Sequence, residues 1–345
     1  MTTPAESLKD LALTGGWVVT EKLTDDLPTG GNHCVRYKVV HPSGKTGFLK
    51  AMDLAHARSF ASQFNLNLLE VLNRMTGDYI HERKIVKLCK DKSLSRITVA
   101  LAAGEIEICG FNEDMKTVFY LIFEDSKDGD LRSSGALASS DLNQVARIMH
   151  SAALALRQIQ SIQLSHHDIK PSNVLSFGDH IFKLADFGQA ATPIIPSRWD
   201  DIPYTGDPSY QPPEVGFEAA SAERWDRSSI DVYMLGSLHY HLITGGQIVW
   251  PLLCKALEIE PSFRKLSYSE ALPYLTSAHT AVMDEFKKTY FTDQKLAEKH
   301  ARIIKELCNP DFKIRGNPSK QKNSAVRLSA DRYVGLYSEL IRATK

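Results

Sequence analysis

The hydrophobic pattern of this chain changes about a third of the way along, and this change restricts most strongly which folds are possible. Before about residue 124 the sequence is mostly strand-like, with β-branched and aromatic residues in "WVVTEKL", "HCVRYKVVHPSGKTGFLKAMD" and "TVFYLIFE". After the polar stretch "EDSKDGDL" the apolar residues recur at helical spacing. The sequence therefore predicts an α+β protein with a small β-rich part at 1–124 and a larger, mainly helical part at 125–345.

Three details of this pattern predict local structure. The Pro-Ser-Gly turn inside the second strand-like stretch predicts a hairpin that runs into a further strand. Between about Asp53 and Lys90 the apolar residues follow helical spacing, which predicts two helices with a break at "TGD", residues 76–78. Within "SSDLNQVARIMHSAALALRQIQSI" a single apolar stripe predicts a long helix, and its members are Leu142, Val145, Ile148, Ala152, Leu156 and Ile159.

Composition narrows the class of protein. The chain has 345 residues with 41 basic and 41 acidic side chains, so its charge gives no reason to expect a nucleic acid as partner. An odd number of widely spaced cysteines, without a CxxC pair, argues against a disulfide framework or a zinc site. The N-terminal segment lacks a signal-peptide pattern, and no apolar run reaches the length of a membrane span. We therefore expect a cytoplasmic protein without membrane contacts.

The stretches "LSHHDIKPSNVL" and "FKLADFGQA" carry the residues with the clearest chemistry. Asp168 and Asp186 lie eighteen residues apart, with Asn173 between them. Carboxylate and amide oxygens are the ligands that Mg²⁺ prefers, and Mg²⁺ in turn binds phosphate oxygens. Asp168 is suited to accept a proton from a hydroxyl nucleophile, and Lys170 is suited to neutralise a moving phosphoryl group.

Taken together, "HHDIKPSN" and "DFG" resemble the catalytic and magnesium-binding loops of eukaryotic-like protein kinases. The resemblance implies a bilobal protein-kinase-like fold, with ATP and Mg²⁺ as cofactors and Ser or Thr hydroxyls of proteins as acceptors. It implies that Asp168 and Lys170 are catalytic and that Asn173 and Asp186 bind the metal.

In the β-rich part, the resemblance places Lys50 of "GKTGFLKAMD" where the family keeps the lysine that holds the α- and β-phosphates. Its expected helix partner is Glu82 in "HERKIVKL", although the separation of 32 residues is longer than usual. Glu70 is the alternative, with a more usual separation but a poorer local match. The extra residues would form an inserted helix at about 55–75.

The stretch "YLIFEDSKDGDL" resembles the family's connection between the two lobes. The resemblance implies that Phe123 lies behind the adenine and that backbone groups of Glu124 to Ser126 bind its edge. It also implies that Asp130 reaches the ribose or the substrate. The phosphate-covering loop is a weaker match, because only Gly30 and Gly31 stand where the family has three spaced glycines.

Late motifs favour a protein kinase over a small-molecule phosphotransferase. "TGDPSYQPPEVG" resembles the substrate-positioning loop, and it predicts that Glu214 is buried against Arg315. Asp231 of "DRSSIDVYMLGSL" is expected to bind backbone amides of the turn at 166–168. Asp207 stands where a threonine is usual, so it could pair with Lys170 or raise the proton affinity of Asp168.

His167 stands where the family usually has an arginine that binds a phosphorylated residue of the activation segment. Because imidazole lacks a permanent charge and a bidentate fork, we expect activity that does not depend on phosphorylation of this segment. The alternative is that His167 is a milder phosphate ligand, since an adjacent dianion favours the imidazolium. The candidate acceptors there are Thr192, Ser197, Tyr204 and Thr205. Two alternative functions stay open at this point, a kinase-like scaffold with little turnover and a small-molecule phosphotransferase.

Overall fold

The computed structural model describes residues 2–23, 34–111, 116–139 and 141–344. The chain divides into two compact units, Met1–Ser93 with Thr98–Ser126, and Leu94–Ile97 with Lys127–Lys345. The short segment Leu94–Ile97 joins the second unit through backbone hydrogen bonds. The Arg96 N–H donates to Gln158 Oε1 at 2.9 Å, and the Arg96 carbonyl accepts from the Leu184 N–H at 2.9 Å.

The first unit contains, among its described residues, an antiparallel sheet of five strands in the order β1-β2-β3-β5-β4. The strands are β1 Val18–Leu23, β2 Cys34–Val40, β3 Thr46–Met52, β4 Ala100–Glu107 and β5 Thr117–Glu124. The predicted hairpin forms between β2 and β3, with Gly44 at φ 81° in the Pro-Ser-Gly turn. Within this sheet Lys50 of β3 stands opposite Leu121 of β5.

One face of the sheet carries the core of the first unit, and a short 3₁₀ helix covers it. Tyr37, Leu49 and Ile122 are fully buried in this cluster. The 3₁₀ helix Pro4–Ser7 is fixed there because the Tyr37 hydroxyl donates to the Ala5 carbonyl at 2.7 Å. Strand β3, which carries Lys50, is therefore stabilised by apolar packing on one face of the sheet.

Two helices, α1 Leu54–Phe64 and α2 Leu68–Asp91, follow β3 as predicted, but the predicted break between them is wrong. The break lies at Asn65–Asn67, where Asn65 adopts φ 51° and Asn67 caps α2 by accepting from the Leu69 N–H at 2.8 Å. Residues 76–78 lie inside α2. A glycine on an exposed helix face costs only about 1 kcal/mol relative to alanine, so Gly77 does not interrupt the helix.

The second unit is mainly helical. Its described helices are α3 Leu142–Ser161, α4 Pro213–Gly216, α5 Arg224–Thr244, α6 Val249–Ile259, α7 Tyr268–Tyr290, α8 Gln294–Leu307, α9 Ser324–Arg327 and α10 Asp331–Ala343. Two short strands, β6 Val174–Ser176 and β7 Phe182–Leu184, form a hairpin. The predicted stripe of α3 is buried except for Leu142, and Asp141 caps this helix by accepting from the Gln144 N–H at 3.0 Å.

Helix α5 lies at the centre of the second unit, because nearly every residue from Ser229 to Ile243 is buried. α8 can approach it closely at Gly236, where an added Cβ would lie 2.5 Å from Cys308 Sγ. Among the described residues no single helix is long and apolar enough to cross a membrane. α5 and α6 meet that criterion only as a pair bent by 94°.

Candidate active site

A loop at residues 165–173 in the second unit is held by the buried carboxylate of Asp231 on α5. The backbone N–H groups of His166 and His167 donate to the two oxygens of Asp231, both at 2.8 Å. Burial raises the pKa of Asp231 to about 7, and the two N–H groups counteract that rise because they favour the carboxylate. This arrangement is the one predicted for Asp231. It fixes the loop backbone, including the left-handed φ of 67° at His167.

His166 connects this loop to the residue that precedes Asp186. Its Nε2–H donates to the Ala185 carbonyl at 3.0 Å, while its Nδ1 accepts from the Asp168 N–H at 3.2 Å. Burial lowers the pKa of His166, so the ring is neutral and both nitrogens are used. The ring also contacts Phe187 edge-on, with centroids 4.6 Å apart. His166 is thus a structural link, because both its nitrogens are engaged within the loop and the "DFG" segment.

The Asp168 carboxylate is oriented by three donors. Asn173 Nδ2 donates to Asp168 Oδ2 at 2.8 Å, and Lys170 Nζ lies 3.1 Å from the same oxygen. The backbone N–H of Asp207 donates to Asp168 Oδ1 at 3.0 Å. A carboxylate with both oxygens held in this way has a fixed orientation, which is what acceptance of a proton from a positioned hydroxyl requires.

The two predicted metal ligands, Asn173 and Asp186, lie on two segments that a backbone hydrogen bond connects. The Ala185 N–H donates to the Asn173 carbonyl at 2.8 Å, so Asp186 follows directly on a residue bonded to Asn173. The Asn173 side chain donates its amide hydrogens to the carbonyl and carboxylate of Asp168, both at 2.8 Å. Because the amide nitrogen is used in this way, the Asn173 oxygen Oδ1 is the atom suited to a cation.

Asp207 pairs with Lys170, which was one of the two possibilities left open by the sequence. Lys170 Nζ lies 3.4 Å from Asp207 Oδ2, while Asp207 Oδ1 accepts from the backbone N–H and the hydroxyl of Ser209. Burial alone would raise the pKa of Asp207, but the bonds from Ser209 and the charge of Lys170 lower it overall. Asp207 is therefore a carboxylate at neutral pH and also caps the 3₁₀ turn Pro208–Tyr210.

In the first unit the predicted ion pair forms between Lys50 and Glu82. Lys50 Nζ lies 2.9 Å from Glu82 Oε1, and both side chains are largely shielded from solvent. The alternative partner, Glu70, lies in the exposed first turn of α2. Twelve residues separate it from Glu82, which is about 18 Å along a helix axis. The sequence separation of 32 residues arises because α1 and the first turns of α2 stand between β3 and Glu82.

Three further residues of the predicted nucleotide site are placed as follows. Phe123 is buried, with its ring centroid 6.0 Å from Lys50 Nζ. Glu124 exchanges backbone and side-chain hydrogen bonds with Val99, at 3.0 and 2.8 Å. The Asp130 carboxylate accepts from the Arg132 and Ser133 N–H groups and so stabilises its own turn. Contacts of Glu124, Ser126 and Asp130 with a nucleotide stay predictions.

Gly30 and Gly31, predicted for the phosphate-covering loop, lie outside the described residues. The predicted pair of Glu214 and Arg315 does form, as a buried bidentate ion pair at 2.5 and 2.8 Å. Such a pair adds geometric specificity as well as energy. It fixes the end of the "PPE" stretch to the segment that follows α8.

His167 is buried and is not placed as a charged phosphate ligand. Burial lowers its pKa to about 3, with further contributions from Arg227 and His166. Its Nδ1 lies 3.5 Å from the Thr205 hydroxyl, and within the described part of the chain its Nε2 has no hydrogen-bond partner. Gly206 packs closely against the backbone of His167. An added Cβ would lie 2.0 Å from the His167 carbonyl, so only glycine fits at position 206.

Two contacts that stabilise the segment between "DFG" and "PPE" were not foreseen from the sequence. The Arg227 guanidinium is buried and donates to the carbonyls of Trp199, at 2.9 Å, and of Asp200. The Tyr210 hydroxyl lies 2.7 Å from His241 Nδ1, and the two rings are stacked. No local sequence pattern predicts either contact, because nothing in "ERWDRSS" or "LHYHLIT" distinguishes Arg227 or His241 from ordinary helix residues.

Comparison with known proteins agrees with this geometry. Residues 44–325 match the protein kinase domain family. An Aurora kinase of Debaryomyces hansenii is 33% identical over 144 residues, which are 39% of this chain and 32% of that protein. The serine/threonine-protein kinase DCLK1 of Rattus norvegicus is 26% identical over 217 residues, or 61% and 45% of the two chains. A Wee1-like protein kinase of Arabidopsis thaliana is 25% identical over 311 residues, or 86% and 57%.

The family match covers most of the chain, and the chain therefore belongs to the protein kinase domain family. The predicted α+β class with a bilobal protein-kinase-like fold is confirmed, as is the predicted family. Membership in this family implies use of ATP. The matched stretches span about a third to somewhat more than half of the length of these relatives.

Proposed function

We propose that the chain is an ATP- and magnesium-dependent protein kinase that transfers the γ-phosphoryl group to Ser or Thr hydroxyls of protein substrates. The observation that carries this proposal is the set of contacts around Asp168, whose two carboxylate oxygens are held by Asn173, Lys170 and Asp207. Loss of one of these residues is the usual mark of an inactive member of the family, and here the oriented Asp168 and the Lys50–Glu82 ion pair are both present.

The roles of the residues follow from their placement. Asp168 orients the acceptor hydroxyl and takes its proton, because its carboxylate is fixed before any substrate is bound. Lys170 shares its charge between Asp168 and Asp207 and stabilises negative charge that develops on the transferred group. Lys50, oriented by Glu82, holds phosphate oxygens of the nucleotide.

The donor set fits magnesium. Asn173 and Asp186 offer an amide oxygen and a carboxylate, which are hard ligands, and Mg²⁺ usually takes few protein ligands beside water and phosphate. Across the described residues no three His, Cys, Asp or Glu side chains cluster in a way that could hold a metal ion by themselves. Asn173 and Asp186 would hold the ion, which would neutralise phosphate charge of bound ATP.

Two observations support serine or threonine as acceptor, and a third supports a protein rather than a small molecule as substrate. Lys170 lies two residues after Asp168 and contacts its carboxylate. One of the relatives named above, DCLK1, is a serine/threonine-protein kinase by its name. The buried Glu214–Arg315 pair stabilises the end of the substrate-positioning stretch, which small-molecule kinases usually lack.

Purified protein with labelled ATP and Mg²⁺ tests the proposal in three parallel assays. We expect self-labelling and labelling of a general protein mixture at Ser and Thr, and neither with the Asp168→Asn variant. Labelling of small metabolites alone would identify a small-molecule phosphotransferase. Nucleotide binding without transfer to any acceptor would identify a kinase-like scaffold.

A cytoplasmic location belongs to the same proposal. The five cysteines are all free thiols, and free thiols persist in reducing compartments. Fractionation of cells that express a tagged chain tests the location. Recovery in a secreted or oxidising compartment would contradict it.

A further inference from the structure

A groove of about 660 Å³ lies in the second unit between α8 and the turn that follows it. Its size is within the range of about 300–1,000 Å³ in which ligands bind. Its lining includes Ala301, Arg302, Lys305, Ile314, Pro318 and Gln321. None of these residues takes part in the site proposed for phosphoryl transfer.

The region around the groove has a strongly positive net charge, although the formal net charge of the whole chain is zero. Residues 294–322 contain eight basic and three acidic side chains, and only Arg315 of the eight is buried in the ion pair with Glu214. Lys295, Lys299 and Arg302 follow each other at spacings of four and three, so they share one exposed face of α8.

The two carboxylates that line the groove are already paired. Glu298 Oε1 lies 3.0 Å from Lys287 Nζ, and Glu306 binds the Arg332 guanidinium with both oxygens at 2.8 Å. By contrast, no carboxylate of the described chain forms a salt bridge with Lys299, Arg302 or Lys305. Three cations are therefore available to an external anion.

The wall opposite α8 is held by hydrogen bonds and leaves an apolar side chain exposed. The Gly316 N–H donates to the Glu306 carbonyl, and the Asn317 N–H donates to the Arg327 carbonyl, at 2.9 and 2.8 Å. The Gln321 side chain donates to the Ile314 carbonyl at 3.1 Å. Ile314 is 46% exposed although Arg315 and Gly316 beside it are buried. The groove is thus preformed, with cations on one side and an apolar contact on the other.

We infer that this groove docks an acidic peptide segment of a partner protein, with carboxylates on Lys299, Arg302 and Lys305 and an apolar residue on Ile314. An acidic occupant is indicated because its charge is complementary to the cations that line the groove. A nucleic acid is a poorer match, because the groove lining contains no aromatic side chain on which bases could stack. The inference does not depend on the proposed phosphoryl transfer, since docking can be measured without turnover.

Fluorescence anisotropy with a labelled peptide of alternating Glu and Leu tests the inference on the full chain. We expect binding that weakens as salt rises, because exposed charges are screened within about 10 Å at 0.1 M. Lys299→Glu with Arg302→Glu should weaken binding by about tenfold or more, since two attractive pairs become repulsive. Ile314→Ser should weaken the Glu-Leu peptide but not an all-Glu peptide.

The matched control is Lys127→Glu with Arg342→Glu, which changes the net charge equally at two exposed cations of the same unit outside the groove. Its affinity should stay within about twofold of the wild type, because exposed pairs beyond a Debye length interact weakly. Equal losses in both double variants, or no binding to the wild type, would overturn the inference. So would tighter binding of a single-stranded oligonucleotide through the same cations.

Discussion

At residue 167 a buried neutral imidazole replaces the arginine usual in the family, and this bears on control of the enzyme. The neighbouring segment is stabilised by its own contacts: Arg227 binds the carbonyls at residues 199 and 200, and the Tyr204 hydroxyl donates to the Asp207 carbonyl at 2.6 Å. Thr192 is buried, and the Ser197 hydroxyl donates to Asp200 at 3.1 Å. These contacts hold the segment without a phosphate.

We therefore expect phosphatase-treated enzyme to retain most of its initial rate of phosphoryl transfer. The measurement compares initial rates before and after treatment, with mass spectrometry to verify dephosphorylation. Ser197→Ala should lose little rate, because Arg227 still binds the carbonyls at residues 199 and 200. Tyr204→Ala should lose more, because it removes the bond to Asp207, whose N–H holds the Asp168 carboxylate. Loss of activity on dephosphorylation, restored by rephosphorylation at Thr192, Ser197, Tyr204 or Thr205, would contradict this view of His167.

The charge of Asp207 is expected to affect the pH dependence of activity. Asp207→Thr keeps the backbone N–H to Asp168 and can still cap Ser209, but it removes a negative charge beside Lys170 and Asp168. We expect equal or higher activity and an acidic limb of the pH dependence of kcat/KM that moves to lower pH. The sign follows because removal of a like charge favours the ionised form of Asp168.

The control for this prediction is Asp207→Asn, which removes the charge but keeps the shape of the side chain. It should shift the acidic limb in the same direction as Asp207→Thr. An unchanged pH profile together with lost activity would mean that the Asp207 carboxylate has another role.

Among the helices, substitution of one glycine tests the continuity of α2, and substitution of another tests the packing of α5 against α8. Gly77 lies on an exposed face of α2 with nothing within 4 Å of an added Cβ. Gly77→Ala should raise the free energy of unfolding by about 1 kcal/mol, the difference in helix propensity. Gly236→Ala should lower it by about 1–3 kcal/mol, because its Cβ would lie 2.6 Å from Leu307 at the end of α8 and 2.5 Å from Cys308 directly after it.

Thermal and denaturant unfolding of both variants check these values, and each variant serves as the control for the other. Destabilisation by Gly77→Ala would favour the break at 76–78 that the sequence suggested. A neutral Gly236→Ala would mean that α5 and α8 can separate without cost.

Helices, strands and ion pairs can be predicted from the sequence where a single strong local pattern or motif determines them. The β2–β3 hairpin follows from its turn residues, the α3 stripe from its spacing, and the Lys50–Glu82 and Glu214–Arg315 pairs from motif order. The break between α1 and α2 was misplaced because Asn65 in a left-handed conformation ends α1, whereas an exposed glycine does not end α2. The Tyr210–His241 contact depends on tertiary packing, for which no local pattern exists.

At the scale of the whole molecule, buried neutral imidazoles make stability depend on pH. Burial lowers the pKa of His167 to about 3, those of His279 and His300 to about 4, and that of His239 well below its usual value. In the unfolded chain these rings titrate near 6.5, so the unfolded state binds more protons below that pH. Asp231, whose pKa burial raises to about 7, opposes the effect with one proton.

The net result is a loss of stability as pH falls from about 7 to 5, on the order of a few kcal/mol. Melting temperatures measured across this range should fall steeply. In the His300→Gln variant the slope should be smaller, because one such ring is removed and His239 keeps a side chain to bond. A melting temperature that is constant or rises toward pH 5 would contradict the assignment of these rings as neutral.

If Asp168, Asp186 and Lys50 act in phosphoryl transfer, single-turnover transfer from labelled ATP depends on each of them. Lys50→Met, Asp168→Asn and Asp186→Asn should each keep the wild-type circular dichroism spectrum and lose about 10²–10⁴-fold in rate. Asp186→Asn should also weaken magnesium-dependent nucleotide binding. Near-normal transfer by Asp168→Asn would contradict the account.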